Sequence, residues 1–387
     1  MPDYLYVGTY PDPAHPATGL YVLSLDPSSG DPRPAGMTPT PTPSWVALHP
    51  GGRYLYAMNE VPEFAGRPGG GVSGFAIDPA TGLLSPVNAQ PTRGALPCHG
   101  VVDKTGRYLL VATYRGGTVE MFPIDGDGRL GPACDRHQHE GSSTRPDRQD
   151  EAHAHAVTLD PDNRFALVAD LGTDTVVHYE LDLDRGRLVP HPERDAHIVP
   201  GSGPRHLAFH PGARFAYLIS ELSATVTAFA YQAATGELRE LQSVSTLPDG
   251  FVGYRATAEV AVHPSGRFLY ASNRSDGSGG EPPECGEDSI VWFEIDAGSG
   301  RLRRRGRAGS GGMLPRSFVI SADGTRLYVA NQHSGTIARF LIDAETGDLT
   351  PDGDRAPVPA PVGLQFAAAS LFSTSSSGSR PNRSALE

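Results

Sequence analysis

Apolar residues in this chain fall in short bursts, and the bursts recur with their punctuation. Residues 48–59 read Leu-His-Pro-Gly-Gly-Arg-Tyr-Leu-Tyr-Ala-Met-Asn: an apolar residue, a turn, a small or polar pair, Arg, then a hydrophobic run closed by a small polar residue. The phrase, whose turn is usually His-Pro or Asp-Pro, returns at 102–113, 159–170, 209–220, 262–273 and 320–331. Each copy is followed by a second apolar run that ends near Asp and a Thr-Gly or Ser-Gly turn, at 71–78, 118–125, 175–182, 225–231, 289–296 and 336–343. Short runs rich in Val, Tyr, Phe and Ile between Gly, Pro and Asp turns predict strands, and no long stretch carries a helical period.

One slot of the phrase falls at Gly52, Gly106, Asn163, Ala213, Gly266 and Gly324, spaced by 50 to 58 residues. Four strands per unit of that size predict an all-β fold, a β-propeller, and the period divides the chain into seven blades. The seventh is split. Residues 4–9 match the second half of the phrase and 361–366 match its start, so the terminal strands are expected to share one blade and close the ring, leaving no open sheet edge. A β-sandwich, the competing architecture, does not produce sevenfold self-similarity.

The 46 glycines and 36 prolines are spread at regular intervals, as many turns require, until the Ser-rich stretch 373–387, which is expected to be a disordered tail after a single domain at 1–372. Length alone would suggest two or three domains, but repeats share one continuous core. The net charge of −12 and the dispersed arginines argue against nucleic acid or an anionic membrane as partner. The first residues lack a basic and an apolar leader region, and no stretch approaches the roughly 20 apolar residues of a membrane span. With three widely spaced cysteines, Cys98, Cys134 and Cys285, the expectation is a soluble cytoplasmic protein with free thiols.

Adjacent strands of a blade form a hairpin, so the start of the innermost strand and the end of the next share one rim. Aligned copies read that rim as columns: Ser44, Cys98, His155, Arg205, Ala258, Arg316 and Val362 at the strand start, Thr9, Asn59, Thr113, Asp170, Ser220, Asn273 and Asn331 at the strand end. Columns inside the strands hold interchangeable apolar residues, whereas the rim diverges into His, Arg, Glu and Gln. For any one such residue ordinary solvated rim chemistry is an adequate account. Several unlike charges on one side are not so easily dismissed, and His155, Arg205, Glu221, Glu259 and Arg274 sit on consecutive blades. An imidazole, a carboxylate and guanidiniums together suit acyl chemistry. His99, His206, Arg316 and Gln332 are further candidate substrate contacts, as are Glu60 and Asp170, although a turn-forming role suits Asp170 as well.

The His-x-His pairs at 137–139 and 153–155 would place two rings on one strand face. No further Cys or His stands at metal-site spacing, and Arg205 and Arg274 would repel a Ca²⁺ ion held by the neighbouring carboxylates. No metal and no cofactor is expected, and no serine-hydrolase elbow or phosphate-cradling glycine loop is present.

The segments His-Ala-His-Ala-Val-Thr-Leu-Asp-Pro at 153–161, Gly-Pro-Arg-His at 203–206, Glu-Leu at 221–222, Ala-Glu-Val at 258–260, the run ending Ala-Ser-Asn-Arg at 274, Pro-Arg-Ser-Phe at 315–318 and Ala-Asn-Gln at 330–332 resemble the seven-bladed propeller lactonases. That family includes bacterial 6-phosphogluconolactonase and the fungal carboxymuconate-lactonizing enzyme. The resemblance runs from about Tyr4 to Phe366 and implies that His155, Arg205, Glu221 and Arg274 form the active site. It implies attack of water on a lactone carbonyl, with His155 or Glu221 as general base and Arg205 and Arg274 holding the oxyanion and a substrate carboxylate or phosphate. The expected partner is a small anionic lactone, acted on by a monomer or weak homodimer; a muconate-type cyclase and a non-catalytic binding propeller are the alternatives. The chain departs from the family pattern at Ala152, Ser220 and Ser275. The last opens an insertion at 275–288, expected to form a lid with the loop at 134–152.

Overall fold

The computed structural model describes residues 2–11, 19–253, 256–275 and 288–373. Among them the strands pair antiparallel into seven sheets of four or five strands, apart from one small two-stranded hairpin. Blades 1 to 6 follow chain order and begin with the innermost strands Pro43–Leu48, Pro97–Val102, Ala154–Leu159, Pro204–Phe209, Thr257–Val262 and Pro315–Ile320. Blade 7 is built from both ends of the chain: Pro361–Ala367 is innermost and pairs with Tyr4–Thr9 in the register Tyr4↔Ala367 and Val7↔Leu364, with Gly19–Leu25 and Pro32–Pro39 outside it. The ring therefore closes through hydrogen bonds between the termini, as the split seventh copy predicts.

The second strand of a blade, such as Tyr54–Asn59 or Phe215–Ser220, is buried along its whole length, because neighbouring blades cover both faces of the sheet. Outermost strands such as Pro32–Pro39 are mostly exposed. Each blade interface has its own apolar cluster; Leu167 and Val176 of blade 3, for example, pack on Leu207, Ala216 and Phe229 of blade 4. Burial of this kind contributes about 25 cal/mol per Å² of apolar surface, the largest favourable term in the fold.

The repeated phrase also spells the polar ties between blades. Its buried Tyr hydroxyls donate to a glycine carbonyl of the following blade: Tyr56 to Gly128 at 3.0 Å, Tyr217 to Gly300 at 3.1 Å and Tyr270 to Gly347 at 2.7 Å. Its histidines do the same one turn earlier. His49, His210 and His263 accept a turn N–H at Nδ1, so Nε2 carries the proton and donates to Gly106, Gly266 and Gly324 respectively. A Cβ on any of these three glycines would stand 2.4 to 2.6 Å from the imidazole Nε2, and each has a φ of +74° or +75°. Where the preceding blade carries Asp103 or Asp160 instead of His, the same slot is filled by Asn163 or Ala213, still at positive φ.

Among the described residues helix is confined to Ser370–Ser373 and a single 3-10 turn, Pro192–Arg194, and no helix there is long and apolar enough to cross a membrane. Cys98 and Cys134 are free. Cys285, residues 276–287 of the insertion and residues 374–387 of the Ser-rich stretch lie outside the described residues.

Candidate active site

The innermost strand of every blade starts with a β-bulge. Register shifts fall between Pro43 and Trp45, Pro97 and His99, Ala154 and His155's successor Ala156, Pro204 and His206, Thr257 and Val260, and Pro315 and Ser317, and at Val362 in blade 7. The unpaired extra residue is the strand-start column itself, Ser44, Cys98, His155, Arg205, Arg316 and Val362, with blade 5 contributing one of Ala258 and Glu259. A bulge breaks the alternation of faces. Consecutive residues such as Arg205 and His206 can then both point into the channel, where a regular strand would send one away.

The other half of the site comes from the residue after each second strand. Its backbone N–H donates back to the carbonyl just before the bulge: Tyr10 to Ala360, Glu60 to Thr42, Tyr114 to Leu96, Glu221 to Gly203, Arg274 to Ala256 and Gln332 to Leu314. Thr42, Leu96, Leu314 and Ala360 take up positive φ there, strain concentrated at this rim.

These two columns enclose a cavity of about 360 Å³, lined by Glu60, Leu96, Cys98, Tyr114, Arg115, Arg148, His155, Glu221, Arg274 and Arg316. Glu221 is its centre. Its Oε2 accepts from Arg205 Nε at 3.1 Å and Arg274 Nη2 at 2.7 Å, and its Oε1 accepts from Arg148 Nη2 at 2.6 Å. Burial would push this carboxyl up, but Arg274, Arg148 and Arg205 outweigh it and hold Glu221 well below the usual carboxylate range. Burial and the neighbouring Arg274 push Arg205 down to about 10, so it keeps its charge near neutral pH. Across the cavity Arg316 lies over the Tyr10 ring and donates to its hydroxyl at 2.8 Å, which in turn donates to Glu60 Oε2 at 2.7 Å.

His155 stands among these cations with its Nδ1 buried and without a hydrogen bond among the described residues. Burial, then Arg205, His206, Arg316 and Arg274, hold its imidazole well below 6.5, so the ring is neutral near pH 7. Five guanidiniums, of Arg115, Arg148, Arg205, Arg274 and Arg316, against the two carboxylates of Glu221 and Glu60 leave the cavity with an excess of positive charge in a protein whose net charge is −12. A neutral imidazole beside fixed cationic donors is a site fitted to an anionic substrate that develops an oxyanion.

The family profile described as lactonase, 7-bladed beta-propeller, matches residues 4–366. The chain belongs to that lactonase family. It is 34% identical to a 6-phosphogluconolactonase of Bacillus subtilis over 371 residues, 95% of this chain and 99% of that one. A 6-phosphogluconolactonase of Formosa agariphila is 33% identical over 347 residues, 89% and 94% of the two chains. Among solved structures a periplasmic gluconolactonase from Pseudomonas aeruginosa superposes with a TM-score of 0.86 at 32% identity, covering 95% of this chain and all of that one. The enzyme is thus a lactone hydrolase.

Within this lactonase, His155, Glu221, Arg274, Arg316 and Glu60 line the cavity, and Arg205 lies beneath it in a narrower extension shared with Trp45 and His206. His99 and Glu259 sit deeper. His99 stacks on Trp45 with centroids 4.2 Å apart and meets His206 edge-on at 5.2 Å, while His206 Nδ1 is 2.8 Å from Glu259 Oε1. Gln332 is not among the residues that line either cavity.

Asp170 does not reach the cavity. Its Oδ1 accepts the backbone N–H groups of His153, Gly172 and Thr173, and its Oδ2 is 2.7 Å from His139 Nδ1. The asparagines of the strand-end column behave similarly: Asn59, Asn273 and Asn331 are buried and donate to loop carbonyls. The His-x-His pairs do not converge either. His153 stacks on Tyr114 at 4.4 Å and His155 meets the same ring edge-on at 5.8 Å, while His137 and His139 bond to different aspartates. Among the described residues no three His, Cys, Asp or Glu side chains are grouped as a metal site would require.

Arg148, Tyr114 and Tyr10 were not singled out from the sequence. The two tyrosines stand in the column after the strand end and were legible there. Arg148 belongs to a loop outside the repeat, so no column reports it.

Proposed function

We propose that the enzyme hydrolyses 6-phospho-D-glucono-1,5-lactone to 6-phosphogluconate. The observation that carries this reading is the cluster of Arg148, Arg205 and Arg274 on a single carboxylate, with Arg316 opposite, in an otherwise acidic protein. Such a cavity favours a substrate that brings negative charge of its own, and the Bacillus subtilis and Formosa agariphila relatives carry this activity in their names.

His155 is the general base. Glu221 is a poor one, since taking up a proton would forfeit its attraction to three guanidiniums. The neutral imidazole accepts a proton from water as the water oxygen bonds to the lactone carbonyl carbon. Negative charge then grows on the carbonyl oxygen, and Arg205 and Arg274, kept aligned by Glu221, stabilise it. When the ring C–O bond breaks, the imidazolium returns its proton to the departing alkoxide, and the new carboxylic acid ionises into water. The cationic surroundings that weaken His155 as a base are offset by a phosphate dianion, so substrate binding improves the base. A sugar δ-lactone opens readily unaided, and modest contributions from each group suffice.

The test is hydrolysis of freshly prepared 6-phosphogluconolactone, measured after exhaustive chelation, with His155→Ala and Arg274→Ala as controls. Activity well above background that falls about 100-fold or more in His155→Ala is expected. A rate equal to the uncatalysed one, or undiminished in both variants, removes the reading; loss of activity on chelation restores a metal mechanism. On the same terms we assign the enzyme to the cytoplasm, supported by the free thiols of Cys98 and Cys134, although the Pseudomonas aeruginosa relative is periplasmic. Subcellular fractionation decides between the two compartments.

A further inference from the structure

The guanidiniums around Glu221 and Tyr10 arrive by two routes. Arg205, Arg274 and Arg316 occupy repeat positions on the bulge and post-strand columns. Arg148 arrives from the loop between blades 2 and 3, and that loop is stapled down behind it. Its neighbour Gln149 is fully buried and donates to Leu171 O and Asp174 Oδ2, both at 2.8 Å. Ser143 Oγ donates to the same Asp174 oxygen at 2.6 Å, and the N–H groups of Gly201 and Gly203 complete the anchor at 2.6 and 2.7 Å. The loop thus presents one side chain at a fixed place above Glu221.

Arg148 differs from the other two guanidiniums on Glu221 in its exposure and its spare donors. Its side chain is 26% exposed, against 3% for Arg205 and 5% for Arg274. Arg205 spends Nε and Nη1 on Glu221, His206 and Ala258 O, and Arg274 directs Nε to Thr257 O. Arg148 uses only Nη2, toward Glu221 and the Tyr114 hydroxyl, leaving Nε and Nη1 without a hydrogen bond among the described residues. Of the three guanidiniums on Glu221, this one is the most open to an anion entering from solvent, and it offers donors in the planar fork that suits a phosphate.

We propose that Arg148 is the specificity-determining residue that selects lactones bearing a phosphate monoester remote from the ring carbonyl, exchanging its contact with Glu221 Oε1 for the phosphate. The inference rests on the phosphogluconolactonase reading and goes beyond it by separating two tasks. Arg205 and Arg274 serve the reacting carbonyl, and Arg148 reads the tail. Glu221 keeps its bonds to the first two when Arg148 leaves, so recognition does not disturb the groups that stabilise the oxyanion.

The experiment compares kcat/KM for 6-phosphoglucono-1,5-lactone and unphosphorylated glucono-1,5-lactone in the wild-type enzyme and in Arg148→Ala, Arg148→Lys and Arg115→Ala, with melting temperatures to establish folding. The wild type should prefer the phosphorylated lactone. Arg148→Ala should lower that preference about 10- to 100-fold, the worth of one charge-assisted contact, chiefly through KM. Arg148→Lys should fall between, having the charge without the fork, and Arg115→Ala, which removes another lining guanidinium, should lower the preference less. Inhibition by inorganic phosphate should weaken in parallel in Arg148→Ala. A preference unchanged in Arg148→Ala, or lost more in Arg115→Ala, overturns the assignment of Arg148. A wild-type enzyme that hydrolyses neither lactone above background, or prefers the unphosphorylated one, overturns the phospho-substrate reading instead, and the inference with it.

Discussion

Arg205 Nη1 lies 3.0 Å from His206 Nε2, and a guanidinium can only donate, so that ring nitrogen carries a lone pair and the imidazole proton sits on Nδ1, directed at Glu259 Oε1. Arg205 is thereby oriented by a neutral histidine that is oriented by a carboxyl group at the bottom of the channel. Burial pushes Glu259 up to about 7. A carboxyl raised in the folded state binds more protons there than when unfolded, so its ionisation costs stability as pH rises from the unfolded value near 4.5 through 7. Glu259→Gln should therefore leave stability little changed at pH 5 and increase it at pH 8, by on the order of 1–3 kcal/mol. Melting temperatures at the two pH values check this, and an equal effect at both would show that Glu259 is not raised.

Burial, and then the charges of Arg205, His206, Arg316 and Arg274, hold the His155 imidazole well below 6.5. In the Glu259→Gln background, where the deeper carboxyl no longer titrates, kcat/KM should stay level as pH is lowered through 6.5. A loss of activity centred near 6.5 would mean that the base has an ordinary imidazole affinity and that the surrounding guanidiniums do not act on it.

Glu221 is nearly inaccessible and accepts from three guanidiniums, so removing its charge leaves buried cations unpaired. Glu221→Gln should destabilise the enzyme by about 3–5 kcal/mol. An added anion that occupies the freed cations should recover part of that by mass action. The melting temperature should accordingly rise more on addition of inorganic phosphate in the variant than in the wild type. The sign with pH follows as well: a depressed carboxyl contributes stability above about 4.5 that is lost in acid, so the variant should lose less than the wild type on going from pH 5 to pH 3. A variant as stable as the wild type would refute the ion cluster.

Much of this was legible in the chain because a repeat supplies its own alignment. Six copies of one phrase are enough to number the blades, to see that the termini complete the seventh, and to single out His155, Arg205, Glu221 and Arg274 as residues that break uniform columns. The bulge was not legible, since it changes which way side chains face without changing which residues are present. Asp170 shows the limit from the other side. Its column varies among Thr, Asn, Asp and Ser like a functional one, yet Asp170 and the three asparagines of the column spend their polar groups on the backbone of neighbouring loops. Arg148 could not be found by comparing copies at all, because its loop has no counterpart in the other blades.

If Asp170 holds its loop in this way, its loss should be felt in stability and not in substrate affinity. Asp170→Ala leaves three backbone N–H groups and His139 without their acceptor. A loss of about 2–4 kcal/mol is expected from unsatisfied donors of this kind. At a temperature where the variant remains folded, KM for the lactone should change little. A large rise in KM with unaltered melting would return Asp170 to the site.

The correspondence between His or Asp in one blade and the residue in the next blade's slot makes a sharper claim about the repeat. Gly266 has φ +74°, and a Cβ there would stand 2.6 Å from His210 Nε2, whereas Ala213 takes a similar φ of 55° opposite Asp160. Two costs therefore meet at Gly266: the left-handed backbone, about 1–2 kcal/mol for an L-residue, and a collision with the imidazole that Asp would not cause. Gly266→Ala should lower stability by more than the backbone term alone. In His210→Asp the collision is gone, so the same glycine substitution should cost only about that term, and the double-mutant cycle should give a coupling of about 0.5–3 kcal/mol favouring the pair. Chemical denaturation of the four proteins measures it. Strict additivity would mean that the imidazole yields without cost and that the backbone alone selects glycine at this position.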